Sequence, residues 1–289
     1  MQTETRRVRR VHQSRATMEG AGVRLHRAIG FVEPPETYDP FLLLDDFRSD
    51  APRDWQKGFP WHPHRGMETI TYVLRGEVDH ADSLGNSGTI GAGDVQWMTA
   101  GSGIVHQEMP RGDDEGAVYG FQLWSNLPAA DKMMDPRYRG FTAAEIPEVR
   151  DPGGAVVKVI AGHVNGVTGA VRDVVSGPEY LDVNLPAGAT FSHPTKRGHT
   201  VFAYVFEGAG HFDERSDTLV GDRHLVSFDD GDGVTVRAGP SGVRFLLVSG
   251  KPIGEPIAWQ GPIVMSTQAE LRTASEELQR GTFIKKKAR

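Results

Sequence analysis

The sequence predicts an all-β protein: two similar barrels in tandem, with one short helix near the C-terminus. Three observations carry this reading. Short apolar runs are separated by turn residues, a strand–turn–strand unit occurs twice, and only one stretch has the signature of a capped helix. The runs are Thr69 to Leu74, Ala155 to Ile160, Thr200 to Phe206, Val234 to Arg237 and Arg244 to Ser249, all rich in β-branched and aromatic residues. The 35 glycines and 18 prolines are dispersed between such runs. Many short strands punctuated in this way read as a sandwich or barrel.

The duplication appears when the halves are compared. Arg65-Gly66 leads to Tyr72-Val73 and Gly76, and Arg197-Gly198 leads to Tyr204-Val205 and Gly208, at a constant offset of 132 residues. Gly93-Asp94 before Ala100-Gly101 is matched, at nearly that offset, by Gly231-Asp232 before Ala238-Gly239. A repeat of this kind is most simply a duplicated barrel. The segment from Pro136 to Pro152, rich in proline and charge, reads as a linker and divides the chain into residues 1–140 and 141–289.

The helix is expected where Thr267 and Glu270 have capping-box spacing, Leu271, Ala274 and Leu278 form a stripe, and Gly281 ends it. Lys285, Lys286, Lys287 and Arg289 then form a basic tail, expected to be solvated and mobile.

Composition narrows the chemistry. The chain has no cysteine, which excludes disulfides, thiolate catalysis, iron–sulfur clusters and Cys-type zinc sites. Its net charge of −6 argues against nucleic-acid binding through bulk electrostatics. No run of 18 apolar residues is present, so a membrane-spanning helix is not expected. Residues 1–15 hold five arginines and no apolar stretch, so a secretory signal is not expected either, and a cytoplasmic protein is.

The two copies differ in one chemically informative respect. The first reads Trp61-His62-Pro63-His64-Arg65-Gly66-Met67-Glu68, whereas the second has Pro194, Lys196 and Thr200 where the first has His62, His64 and Glu68. The first continues to Ile104-Val105-His106-Gln107-Glu108, and the matching stretch near Val243 to Leu246 has neither imidazole nor carboxylate. Scaffold residues persist in both copies while donors sit in one, as expected if the donors serve a site. Side chains two apart on a strand share a face. His62 with His64, and His106 with Glu108, can therefore surround one point. Three imidazoles and a carboxylate suit a divalent first-row metal and leave octahedral positions open for a catalytic site. Glu68 has the same parity as His64 and is a fifth candidate that spacing alone leaves open.

The stretches His62 to Thr69, Gly93 to Gly101 and Gly103 to Pro110 strongly resemble the pirin family of the cupin superfamily. The likeness extends through Asp39 to Phe47, Gln122 to Pro128, Glu255 to Ile257 and Gly261 to Met265. It implies a bicupin, two tandem jelly-roll (cupin) β-barrels. The first barrel would hold one metal through His62, His64, His106 and Glu108, and the second would lack ligands. The position of Glu68 is not a ligand in pirins. The resemblance points to ferrous iron first, with nickel, copper, manganese, cobalt or zinc as alternatives. Ser125, Ser266 and Gln107 depart from the family pattern without removing a ligand.

The resemblance further implies a quercetin 2,3-dioxygenase type of activity on flavonols with dioxygen. In that reaction the ring opens and carbon monoxide leaves, with Glu108 as the catalytic base. Met67, Trp97 and Phe121 lie near the motifs and are candidates for the substrate lining. The alternative, motivated by nuclear co-regulators among animal pirins, is a redox-dependent regulatory protein that binds a transcription factor or a metabolic enzyme. Zinc hydrolase or isomerase chemistry is a third possibility, since the cupin fold hosts many reactions. A monomer is expected, because two barrels close their own cores. Elsewhere, Asp45-Asp46 reads as a turn after Phe41 to Leu44, and His193 and His199, six apart without a partner pair downstream, read as satisfied or exposed histidines instead of a second metal site.

Overall fold

The structure of the protein is a computed structural model that describes residues 4–286. It is all-β with one α-helix among the described residues, and its contacts sort into two compact units. One joins Ala16–Ala143 to the segment from Ile253 onward; the other joins Ala144–Pro252 to the segment ending at Arg15. The break at Ala143 and Ala144 falls inside the expected linker, but each end of the chain belongs with the other half. The reason is edge satisfaction and apolar burial. The strand Val8–Gln13 pairs with His224–Phe228 at a sheet edge, supplying hydrogen-bond partners that an open edge lacks. Near the other end, Val264 packs with Leu42, Leu43, Met67 and Trp124.

The first barrel is built from two sheets. Seven strands run in the order Arg137–Phe141, Val95–Thr99, Met67–Arg75, Tyr119–Asn126, Phe41–Asp46, Val23–Ile29 and Arg15–Glu19. Four run in the order Phe59–His64, Ile104–Arg111, Glu77–Asp82 and Ser87–Ile90. The second barrel centres on the long strand Gly233–Gly250. Two separate runs were expected there. Instead one strand spans both, pairing with Thr190–Pro194 up to Arg237, with Glu179–Leu185 from Val243, and with Thr200–His211 from Arg237 onward. Gly242, at φ 82°, lies where the partners change.

The repeat is conformational as well as chemical. Gly66 and Gly198 lie at φ 79° and 73°, and Gly76 and Gly208 at 70° and 66°. Only glycine adopts this region readily. At Gly66 a Cβ would also run into the Val264 carbonyl oxygen.

The interiors of the barrels differ. The second is filled by one apolar cluster that includes Val157, Leu181, Phe191, Val205, Phe245 and Leu247. The first buries a set of polar side chains, including His64, Glu68, Thr71, Gln96, His106 and Glu108, among apolar residues such as Ile70, Tyr72, Trp97 and Phe121. Burying polar groups is costly unless they are partnered, so this polar layer marks the first barrel as the one carrying a site.

The helix spans Gln268–Gln279 and begins with the expected capping box: Thr267 Oγ1 accepts from the Glu270 N–H, and the Glu270 carboxylate accepts from the Thr267 N–H. Leu271 and Ala274 are buried, but Leu278 is exposed. The basic tail is not free where it is described. Lys285 pairs with Glu277 at 2.6 Å and Lys286 with Asp135 at 2.8 Å, because carboxylates lie within reach; Lys287 and Arg289 lie outside the described residues. Asp45-Asp46 is not a turn either. Both are buried at the end of the strand Phe41–Asp46, held there by Arg27 and Arg48. Among the described residues no helix is long and apolar enough to cross a membrane.

Candidate metal centre

Two antiparallel neighbours position the donors. On the strands Phe59–His64 and Ile104–Arg111, His106 lies opposite His62, and Ile104 opposite His64. Alternation then turns His62 and His64 to one face, and His106 with them. The three rings meet with centroids 4.4 to 5.0 Å apart. One nitrogen from each lies within 4.8 Å of the other two. Modest side-chain rotation brings such atoms to the ~2.1 Å bonds of metal coordination.

The hydrogen bonds choose the nitrogen that faces the centre. His62 Nδ1 lies 2.9 Å from the Pro60 carbonyl oxygen, and His64 Nδ1 lies 3.2 Å from that of Pro262. A carbonyl only accepts, so Nδ1 carries the proton and Nε2 keeps its lone pair. His64 Nε2 and both nitrogens of His106 are buried without a hydrogen-bond partner. Burial, followed by the neighbouring imidazoles, holds the His64 and His106 pKa values well below the ordinary imidazole range. Neutral, unpartnered, convergent imidazoles are what a divalent cation requires, so this donor set fits a metal ion.

Glu108 is buried beside this group, with Oε2 3.9 Å from His106 Nε2. Thr71 Oγ1 donates to its carboxylate at 3.0 Å, and the Gln122 amide donates to both oxygens at 3.2 and 3.1 Å. The Trp124 indole N–H in turn donates to Gln122 Oε1 at 3.1 Å, which fixes the amide with its NH₂ toward Glu108. The same Trp124 ring stands edge-on to His64 at 5.3 Å.

Glu68 is not part of the imidazole group. Its strand pairs it with Thr99, whose hydroxyl donates to it at 2.8 Å. Burial raises its pKa, opposed by that hydrogen bond. His193 lies in the second barrel, satisfied by Glu179 at 2.9 Å, as expected of a histidine outside a metal site.

Beside the imidazoles lies a hollow of about 410 Å³ lined by His62, His64, Gln122, Trp124, Phe31 and Phe59, among others. Met67, Trp97 and Phe121 do not line it; all three are fully buried elsewhere. Phe31 is half exposed at φ 49°, a conformation bulky residues rarely take, with its ring 4.5 Å from Trp259. Arg27 and Asp45 at the wall are joined by two hydrogen bonds of 2.8 and 2.7 Å, and Arg27 also reaches Glu19 at 2.7 Å. The sequence pattern missed Gln122, Trp124, Phe31 and Arg27. A lone aromatic or amide on a strand carries no spacing signal.

Comparison with known proteins finds relatives along nearly the whole chain. A family model described as Pirin matches residues 22–125, and one described as Pirin C-terminal cupin domain matches residues 180–284. A pirin-like protein of Caulobacter vibrioides is 45% identical over 283 residues, covering 96% of this chain and 99% of that one. A pirin-like protein of Solanum lycopersicum is 40% identical, covering 93% and 89%. A crystal structure of quercetin 2,3-dioxygenase from Acinetobacter baumannii superposes with a TM-score of 0.88 at 32% identity, covering 97% and 99%.

Proposed function

The chain belongs to the pirin family, and we propose that it is a mononuclear metal dioxygenase of the quercetin 2,3-dioxygenase type, acting on flavonols or close planar phenols. One observation carries this: three imidazoles converge on one point, and two of them, His62 and His64, stand at the wall of an aromatic-lined hollow. Its volume falls in the range of small-molecule sites, about 300–1,000 Å³. That size favours a substrate over the purely regulatory reading, and the dioxygenase name of the Acinetobacter baumannii structure supports the same chemistry.

His62, His64, His106 and Glu108 would hold the ion, and a nitrogen-and-carboxylate set without thiolate suits ferrous iron. The ion would lower the pKa of a bound flavonol hydroxyl and supply redox chemistry toward dioxygen. The protein's own contribution is position and proton transfer. Phe31, Phe59 and Trp124 bind the flat ring system from the walls of the hollow. Arg27 is outnumbered by the carboxylates of Asp45 and Glu19, so the hollow suits an uncharged aromatic better than an anion. Glu108, its carboxylate held by Thr71 and Gln122, accepts the proton of the substrate's reacting hydroxyl.

The test is a quercetin assay on metal-free protein loaded with each candidate ion, with and without dioxygen. Loss of flavonol absorbance that needs both ion and dioxygen, releases carbon monoxide and vanishes in His62→Ala is expected. Loss that survives anaerobically or in His62→Ala overturns the proposal.

A further inference from the structure

Behind the hollow, on the Glu108 side, lies a second and much smaller cavity of about 30 Å³. Asp45, Phe59 and Gln122 line both spaces, so the two adjoin. Most of the small cavity's wall is apolar, including Val23, Leu25, Phe47, Trp55 and Val78, all buried. Its polar edge is Thr71, Glu108 and Gln122, and these already bond one another. Asp45 is likewise engaged by Arg27.

Size and chemistry together narrow the occupant. One water needs roughly 10–15 Å³ of such space, so the cavity has room for about two small atoms and none for an aromatic ring. A buried water also needs two to four polar partners, and the polar groups here are largely spent on each other. Small apolar cavities of this kind take apolar guests. We propose that this cavity is the dioxygen seat: a binding site for an apolar diatomic gas, beside the Glu108 carboxylate and separate from the organic-substrate hollow. It rests on the oxygenase reading for its physiological ligand, though not for its capacity to hold a gas.

Two measurements test it on the metal-loaded full chain. Crystals pressurised with xenon should show the gas in this cavity. The double variant Val23→Ile/Val78→Ile adds a methylene from each of two walls and fills the space without a polar change. It should raise the KM for dioxygen roughly tenfold, about the value of two buried apolar atoms, and leave the KM for quercetin and the metal content unchanged. Absence of xenon from the cavity overturns the proposal, as does an unaltered KM for dioxygen in the filled variant. If the wild type turns over no flavonol with any ion, the oxygenase reading fails, and the xenon result alone decides whether the cavity takes a diatomic gas.

Discussion

The Gln122 amide spans both carboxylate oxygens of Glu108 while the Trp124 indole holds the other end of that amide. Two side chains of the strand Tyr119–Asn126 thus fix a carboxylate on the strand Ile104–Arg111 of the other sheet. Partners of this kind orient a ligand and maintain its basicity, and losing one costs about 10–100-fold in metal affinity. Gln122→Leu should therefore weaken metal binding by about that factor. Trp124→Phe, which keeps the ring but removes the N–H, should have a smaller effect in the same direction. Competition titration against a chelator measures both, and unchanged affinity in Gln122→Leu would show that the network has no part in binding.

The imidazoles of the two barrels should respond differently. Metal analysis of His64→Ala and His106→Ala is expected to show near-complete loss of bound ion. His193→Ala, whose ring is bonded to Glu179 in the second barrel, should keep its ion and lose stability alone.

Arg65 and Arg197 occupy equivalent positions in the repeat, yet their surroundings differ. Arg65 is buried, donating to the Ser102 and Phe283 carbonyls and pairing with Glu277, with the Phe283 ring 4.1 Å beneath it. Arg197 is half exposed on Asp232 and Glu4. Arg65→Met should cost about 3 kcal/mol, as breaking buried pairs does. Arg197→Met should cost under about 1 kcal/mol, as for surface pairs. Denaturant titration of both variants compares them directly.

Burial pushes the Asp45 carboxyl up to about 6, against the pull of Arg27. Between the ordinary aspartate value of 3.8 and about 6, the folded chain holds a proton that the unfolded chain has released. This group's contribution to stability is therefore present below that window and is lost as pH rises through it. Relative to wild type, Asp45→Asn should remove this downward slope. Thermal unfolding of both proteins from pH 4 to 7 provides the comparison, and parallel curves would contradict it.

Phe31→Ala removes an exposed ring at the hollow's edge without touching a donor. It should raise the KM for quercetin about tenfold, the worth of one aromatic contact, with metal content unchanged. Steady-state assays beside metal analysis separate the two effects.

Much of the architecture could be read before any coordinates. Turn-punctuated strands, the repeated Arg-Gly and Tyr-Val-x-x-Gly pattern and the Thr267–Glu270 cap are local features, and local features survive in a linear string. The pairs His62 with His64 and His106 with Glu108 were visible for the same reason, since a strand's two-residue period puts alternate side chains on one face. Folding itself added what depends on distant partners. It placed His106 opposite His62, carried the N-terminal strand and the C-terminal helix each to the other half, and gave Glu68 to Thr99 instead of the imidazoles. It brought Gln122 and Thr71 onto Glu108 and assembled the hollow from Phe31, Phe59 and Trp124. Such contacts join residues tens of positions apart through strand register and barrel closure, and no spacing rule along the chain encodes them.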